Sequence, residues 1–378
     1  MDFRLTADQR SLRDTVRAFA TEEIEPRARE LDQQDEYPAD ILAALGDQRL
    51  TGLTLPEQYG GRGEGLVELC LVVEELAAAM MPVASALALH LGVATVIERF
   101  GSDALKDDLL PELARFETVC ALGLSEANAG SDKLAMETEA TRDGDEWVIS
   151  GHKQWVTNFF EADYVLTYAK TGPEEAAPEN ISAFLIPTDE FEVETVWDTL
   201  GARSVPSPKV TLDAVRVPDS RRVGDVGMAY IQRKTVNTGV NVPARGVGIA
   251  RAALEKTVAY TSGREQFGGP LSDFQGLRWR VGEMATRVDT ARLLTLRAAA
   301  RADRGDPLNG AMHMAKIHAT EAAVENANEA MQLHGGLGYT TECHVERYLR
   351  DAKLLTIAGG PNEGHRDALA TAVYDSVQ

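Results

Sequence analysis

QLHGGLGYTTECHVERYLRDAKLLTIAGGPNEG, residues 332–364, is the stretch around which the chain is organised. A helical run rich in Ala and Glu leads into it. The cluster His334-Gly-Gly-Leu-Gly-Tyr339 follows, then Arg350-Asp351, an apolar run, and a second pair, Gly359-Gly360, beside Pro361. Glycine clusters let a backbone come close to a ligand. Two of them bracketing an Arg-Asp element read as a site.

Working outward, 378 residues allow two or three structural units around a shared core. Hydrophobic residues make up 44%, ordinary for a globular chain. The net charge of −21 disfavours nucleic acid as a partner, because phosphate neutralisation needs clustered Lys and Arg. Cys70, Cys120 and Cys343 lie far apart without metal-ligand spacing, so neither a disulfide framework nor a metal site is expected, and a reducing cytoplasm fits. The segment Leu76 to Ile97 lacks Asp, Glu, Lys and Arg and is long enough to cross a bilayer. Its Ala-rich composition, with Pro82, Ser85, His90 and Gly92, reads instead as a buried helix pair broken at Met81-Pro82, with no membrane as partner.

Residues 1–117 read as an N-terminal α-helical domain. Thr6 and Gln9 form a capping box, and Leu12, Val16 and Phe19 share a helical face. Pro38 begins a helix with Ile41, Leu42 and Leu45 inward, and Pro56 to Gly65 is a loop. Residues 118–222 change texture. Short β-branched runs appear at Glu137–Thr141, Glu146–Ser150, Gln154–Thr157, Tyr164–Tyr168, Ile181–Ile186, Phe191–Val196 and Lys209–Val217. Asp143-Gly144 marks a hairpin. This block predicts a middle β-barrel or sandwich. Residues 223–378 return to long helices, with Val247, Ala250, Leu254 and Val258 on one apolar face, and predict a C-terminal four-helix bundle. The fold class is α+β, mostly α.

Three further segments carry chemistry. Ala121 to Asp132 (ALGLSEANAGSD) is a loop of small residues and hydroxyls that suits a polar planar ligand, and equally suits a turn between strands. Lys153 to Asn158 (KQWVTN) places Trp155 and Thr157 two apart, hence on one face of a strand, where a Trp commonly serves a core. Gly263 to Gln275 (GREQFGGPLSDFQ) joins two long helices and offers Arg264, Phe267 and Gln275 to a phosphate and an adenine, or is an exposed connection.

These segments, in this order, resemble the acyl-CoA dehydrogenase family over essentially the full length. The family's TEPxAGSD appears as Ser125 to Asp132, its WITN as Trp155 to Asn158, its RxxFGxPLxxFQ as Arg264 to Gln275, its QxxGGxGY as Gln332 to Tyr339, and its RDA as Arg350-Asp351-Ala352. The resemblance implies a bound FAD. Leu124 and Ser125 would hydrogen-bond the flavin edge, and Trp155 and Thr157 would cover the ring. Arg264, Phe267, Gln275, Gln332, Gly335 and Gly336 would grip the pyrophosphate and adenine of a neighbouring subunit's FAD. Ser131 would lie near the CoA end of an acyl-CoA substrate. A homotetramer or homodimer is implied, with electron-transferring flavoprotein or oxygen as the electron acceptor.

The family reaction removes an α-proton with a carboxylate while the β-hydrogen leaves as hydride to flavin N5. Counting on from Arg350-Asp351, that carboxylate position falls on Gly359. The alternative base position of a minority of members falls near Thr238-Gly239, which is not acidic either. Glu363 is a candidate replacement, His365 reads as a polar residue at a helix start, His90 as a core histidine, and Glu126 as structural. Three functions remain open on the sequence. One is acyl-CoA α,β-dehydrogenation, one a base-lacking partner subunit of a hetero-oligomer, and one altered flavin chemistry, monooxygenation or elimination, on the same fold.

Overall fold

The computed structural model describes residues 4–377. Helices α1 (Ala7–Phe19), α2 (Ala28–Gln34), α3 (Ala39–Asp47), α4 (Leu66–Phe100) and α5 (Asp103–Ala114) come first. The Thr6 hydroxyl accepts from Gln9 N and the Gln9 side chain accepts from Thr6 N, so the capping box is formed. Leu12 and Val16 are buried, with Phe19 packed at the edge of the same core.

Helix α4 spans 35 residues and is the axis of the molecule. Proline lacks an N–H and clashes with the carbonyl four residues back. The resulting break falls at Met80, whose backbone is extended (φ −156°, ψ 107°), one residue ahead of the expected Met81-Pro82 and inside an otherwise continuous helix. The helix is apolar enough to cross a membrane, but 78% of its most apolar window is buried inside the protein, which makes it a core helix. Its buried Glu74 and Glu75 are tied across the fold. Glu75 meets Arg17 of α1 at 2.8 Å and Arg251 at 2.6 Å, and Glu74 meets Arg292 at 2.5 Å.

Strands β1 (Cys120–Gly123), β2 (Glu139–Asp143), β3 (Glu146–Gln154), β4 (Tyr164–Lys170), β5 (Ile181–Pro187), β6 (Glu192–Thr195), β7 (Lys209–Pro218) and β8 (Arg222–Val223) form the middle layer. The order is β6-β7-β3-β2-β4-β5-β8, with β1 parallel to β4. Strands β2 and β4 touch through one pair, Glu139 with Lys170, so the sheet divides there into two halves. Asp143 pairs with Glu146 across the expected hairpin. Two strand readings are corrected. Cys120–Gly123 is a strand, not part of a loop, because its small residues fit between β4 and the α4 surface. Residues 155–157 are not a strand: Trp155 is left-handed (φ 61°) and Thr157 N bonds back to Trp155 O.

Helices α6 (Ala229–Arg233), α7 (Asn241–Gly263), α8 (Gln275–Asp303), α9 (Ala311–Leu333), α10 (Val345–Leu355) and α11 (Asn362–Val377) complete the chain. Helices α7, α8 and α9 pack on one another, α10 closes on α7 and α9, and α4 lies against α7. Val247 and Ala250 are buried and Leu254 half-buried, but Val258 is exposed, because in the last turns of α7 the inward positions are taken by Thr257 and Thr261. A core running from Leu12 through α4 to Ala298, Ala299 and Ala315 joins the first helices to the last.

Candidate functional site

The loop after β1 is built on a buried ion pair. Glu126 is fully enclosed and accepts from Lys153 Nζ at 2.5 Å, Glu137 N at 2.5 Å and Thr138 N at 3.2 Å. Burial pushes its carboxyl up, but Lys153 and the Glu137 N–H outweigh this and hold it below the usual range. The carboxylate therefore fixes the loop and is not available as a base, as the sequence reading of Glu126 expects. Leu124 is buried and Ser125 half-buried. Ser125 Oγ accepts from Lys133 Nζ at 2.6 Å, and Ser125 O accepts from Gln154 N at 2.8 Å. Burial first, then Arg233, pushes the Lys133 ammonium down to about 8. Ser131 is exposed in the same loop.

Trp155 is not a core residue. It is 49% exposed and stacks on Trp197 with ring centroids 5.3 Å apart and planes 26° apart. The left-handed Trp155 sets the turn that presents an aromatic face outward. Beside it, Thr157 Oγ1 is 3.0 Å from Ser207 Oγ. Asn158 is buried and ties this turn to α4 by donating to Ala86 O at 3.0 Å, while Tyr37 OH donates to its Oδ1 at 3.2 Å.

A second set lies on the surface at the far end of α8 and α9. Arg264, Phe267, Gln275, Gln332, Gly335 and Gly336 all reach this surface. Phe267 is 96% exposed at the tip of a two-residue hairpin pair, Glu265–Gln266 with Gly269–Pro270, and meets the ring of Phe274 edge-on. A recess of 420 Å³ is lined by Gly276, Leu277 and Arg280 at the α8 N-terminus and by Gln332, Leu333 and Gly335. A helix N-terminus directs N–H groups and positive dipole at an anion. His334 is buried beneath this set, stacked on Tyr260.

The Arg-Asp element does not belong to the site. Arg350 binds Asp32 of α2 at 2.5 Å and Glu346 at 3.2 Å. Asp351 is buried and accepts from Ala202 N at 2.7 Å. Both side chains tie α10 to the helices and loop around it, because charges this enclosed need partners.

Gly359 and Gly360 form a left-handed turn, with φ of +71° and +96°. A Cβ on Gly359 would lie 3.1 Å from Val242 Cγ2 of α7. The turn is held from below by Lys316 of α9, 2% exposed, which donates to Gly360 O at 2.6 Å, to Asn362 Oδ1 at 2.7 Å and to Thr356 O at 3.3 Å. His365 Nε2 donates to Gly359 O at 3.0 Å, and its Nδ1 lies 2.9 Å from His313 Nδ1. A neutral His365 spends its proton on Gly359 and its lone pair on His313, so neither nitrogen is free. Glu363 is exposed on the first turn of α11. His90 is buried, hydrogen-bonded to Leu113 O, and burial pushes it down to about 4. Thr238 and Gly239 lie in a short turn before α7, and a Cβ on Gly239 would meet open space.

The sequence reading missed Lys133, Lys153, Lys316 and Trp197. Lys316 was legible in principle, as a lone Lys between Ala315 and Ile317 in an Ala-rich helix, whereas Lys153 sits in the polar run His152-Lys-Gln154. The partners that give them meaning come from other segments of the chain.

Three sequence profiles match the chain: Acyl-CoA dehydrogenase, N-terminal domain, over residues 6–117; middle domain, over 121–215; and C-terminal domain, over 225–374. Among curated relatives, the probable acyl-CoA dehydrogenase YngJ of Bacillus subtilis is 38% identical, covering 98% of this chain and 99% of the relative. The short-chain specific acyl-CoA dehydrogenase of Clostridium acetobutylicum is 33% identical, covering 99% and 100%. Among solved structures, butyryl-CoA dehydrogenase from Megasphaera elsdenii superposes with a TM-score of 0.95 at 30% identity, covering 99% of this chain and all of that one.

Proposed function

Because the chain belongs to the acyl-CoA dehydrogenase family, we propose that it binds FAD and an acyl-CoA thioester and carries out α,β-dehydrogenation with a catalytic loop that supplies backbone but no carboxylate. The carrying observation is the turn at Gly359, which is fully built and braced yet has no side chain.

The residues fit FAD on two counts. Trp155 offers an outward aromatic face where a core Trp would have none. The recess at the α8 N-terminus joins Gln332 and Gly335 in a place suited to a diphosphate. Leu124 and Ser125 bind the flavin edge, and Trp155 and Thr157 cover the ring. Arg264, Phe267, Gln275, Gln332, Gly335 and Gly336 serve the FAD of a second subunit in a homotetramer or homodimer, which accounts for a phenylalanine standing almost wholly in solvent. Ser131 lies toward the CoA end of the substrate. Bound FAD would supply the hydride acceptor, with electron-transferring flavoprotein, or oxygen, as the electron acceptor.

The protein's own part in the reaction is position and polarity. Gly359 offers its N–H to the thioester carbonyl, and Lys316 and His365 hold the loop so that this N–H is fixed in advance. What the loop lacks is a proton acceptor. A missing general base costs about a hundred- to ten-thousand-fold in rate. Glu363 stands exposed on the first turn of α11 and is the nearest carboxylate along the chain, the candidate replacement.

Gly359 also favours a second reading, in which this chain is the base-lacking member of a hetero-oligomer and a paralogue carries the carboxylate. Monooxygenation or elimination on the same fold needs no carboxylate at 359 and is the remaining alternative. Anaerobic mixing of the FAD-loaded chain with a panel of acyl-CoAs separates these. Flavin bleaching by the chain alone supports dehydrogenation. Bleaching only after co-expression with a base-bearing paralogue supports the second reading. Absence of bleaching in both settings, or an oxygen-dependent C4a adduct, overturns dehydrogenation.

A further inference from the structure

Arg245 of α7 is 7% exposed, and among the described residues it has no carboxylate partner. Its Nη1 donates to Ser85 Oγ of α4, its Nη2 donates to Asn241 Oδ1 at 2.9 Å, and its Nε meets nothing. The other enclosed guanidiniums are treated differently. Arg251 meets Glu75 at 2.6 Å and Glu74 at 3.2 Å, and Arg347 lies 3.8 Å from Asp351. Burial alone acts on Arg245 and pushes it down to about 10, still charged at neutral pH. A buried charge without a counter-charge is costly, and proteins pair such groups or present them to a ligand. In a chain of net charge −21, the lack of a carboxylate at this one place is specific to the place.

The place is between the two halves of the site. Ser85, which holds Nη1, precedes Ala86, whose carbonyl accepts from Asn158 at the end of the Trp155 turn. Val242, one helical turn before Arg245 on the same face of α7, is the residue that contacts the Gly359 loop. Gly239 leaves open space just ahead of α7. The guanidinium is therefore tied through Ser85 of α4 to the neighbourhood of the Trp155 turn and lies one helical turn from Val242 at the Gly359 loop, so on the acyl-CoA reading it faces the far end of the acyl chain.

We propose that Arg245, with Ser85 and Asn241 orienting it, binds a carboxylate at the far end of the acyl group, so that the preferred substrates are CoA monothioesters of short dicarboxylic acids. This rests on the acyl-CoA reading above and names the substrate class of that same site. Two donors of the guanidinium are spent on neutral oxygens and leave Nε to the anion, and neither Ser85 nor Asn241 neutralises the charge. Elsewhere the strongly acidic protein repels a second anionic group on the ligand, so a preference for one requires a local cation.

Isothermal titration calorimetry of the FAD-loaded chain with glutaryl-CoA against valeryl-CoA, and succinyl-CoA against butyryl-CoA, tests this without turnover. Each carboxylated thioester is expected to bind at least tenfold more tightly than its neutral partner. Arg245→Met is expected to bring the ratio to one or below while neutral thioesters still bind, and Arg245→Lys to retain part of it. Neutral thioesters binding as tightly as carboxylated ones in the unaltered protein overturns the proposal, whether or not the variants fold. An unchanged ratio in a folded Arg245→Met protein does so too. If no CoA thioester of either kind binds, the acyl-CoA reading itself fails, and this proposal with it.

Discussion

The two glycine pairs, Gly335-Gly336 and Gly359-Gly360, look alike in the sequence and do different work in the fold. Gly335 and Gly336 lie at the surface, and a Cβ on either would meet nothing within 4 Å. Packing requires neither; Gly335 is itself left-handed (φ +60°), so its backbone favours glycine, and at Gly336 the access left to a ligand is the use that remains. Gly359 has a left-handed backbone and Val242 at 3.1 Å from its Cβ direction, while Gly360 has His365 at 3.2 Å. Lys316 and His365 hold that turn by donating to Gly360 O and Gly359 O, and Asn362 Oδ1 accepts from the same Lys316 ammonium. The first pair is open at the surface, and the second is a rigid mount without a side chain, at the position proposed above for a catalytic carboxylate.

That contrast can be broken or sharpened in order of expected effect. Lys316→Met strips three acceptors of a buried ammonium and should lower stability by about 3 kcal/mol in chemical denaturation, since hydrogen bonds to charged groups contribute about 1.5–3 kcal/mol each. A loss under about 1 kcal/mol would show the turn is not mounted on it. Asp351 comes next. Burial raises its carboxyl to about 6 from 3.8, so the folded state binds its proton more tightly than the unfolded chain between about pH 4 and 6. This group's contribution is thus fully present below about pH 4 and lost as pH rises through 6, by roughly 1.4 kcal/mol for each pH unit crossed in that window. Asp351→Asn should remove about 2 kcal/mol of that pH dependence when denaturation midpoints are compared at about pH 4 and pH 7, and parallel profiles would count against it.

The two glycine pairs are compared directly by smaller effects. Gly359→Ala should cost about 1–2 kcal/mol, from the left-handed backbone and the Val242 contact. Gly336→Leu should change stability by under about 0.5 kcal/mol, as an exposed open position does. Yet it should weaken FAD retention about tenfold in equilibrium dialysis, close to the loss of about 1.4 kcal/mol of binding. Equal stability costs at 336 and 359 would erase the distinction.

Much of this was legible in the sequence because it is local. The capping box at Thr6, the hairpin at Asp143-Gly144 and the change from helical to alternating periodicity near residue 118 are all short-range signals, and the ordered motifs carried the family. What was not legible depends on long-range packing. The turn at Trp155 defeats a strand reading because Asn158 is pulled to Ala86 of α4, 72 positions away. Arg350-Asp351 looks like a site because Asp32 and Ala202, its partners, are remote in sequence. Lys316 gave no sign of supporting Gly360, and Arg245 shows its lack of a carboxylate only once every neighbouring helix is placed.

The central claim is that the loop at 359 is intact except for a proton acceptor. Anaerobic stopped-flow mixing with a thioester that binds, followed at the oxidised flavin band, measures this. Gly359→Glu is made together with Val242→Ala, which removes the methyl 3.1 Å away, and Val242→Ala alone is the reference. The double variant is expected to bleach at least about a hundredfold faster than the reference, the lower end of what a general base contributes. Rapid bleaching by the unaltered chain, with no gain on adding the carboxylate, would contradict it.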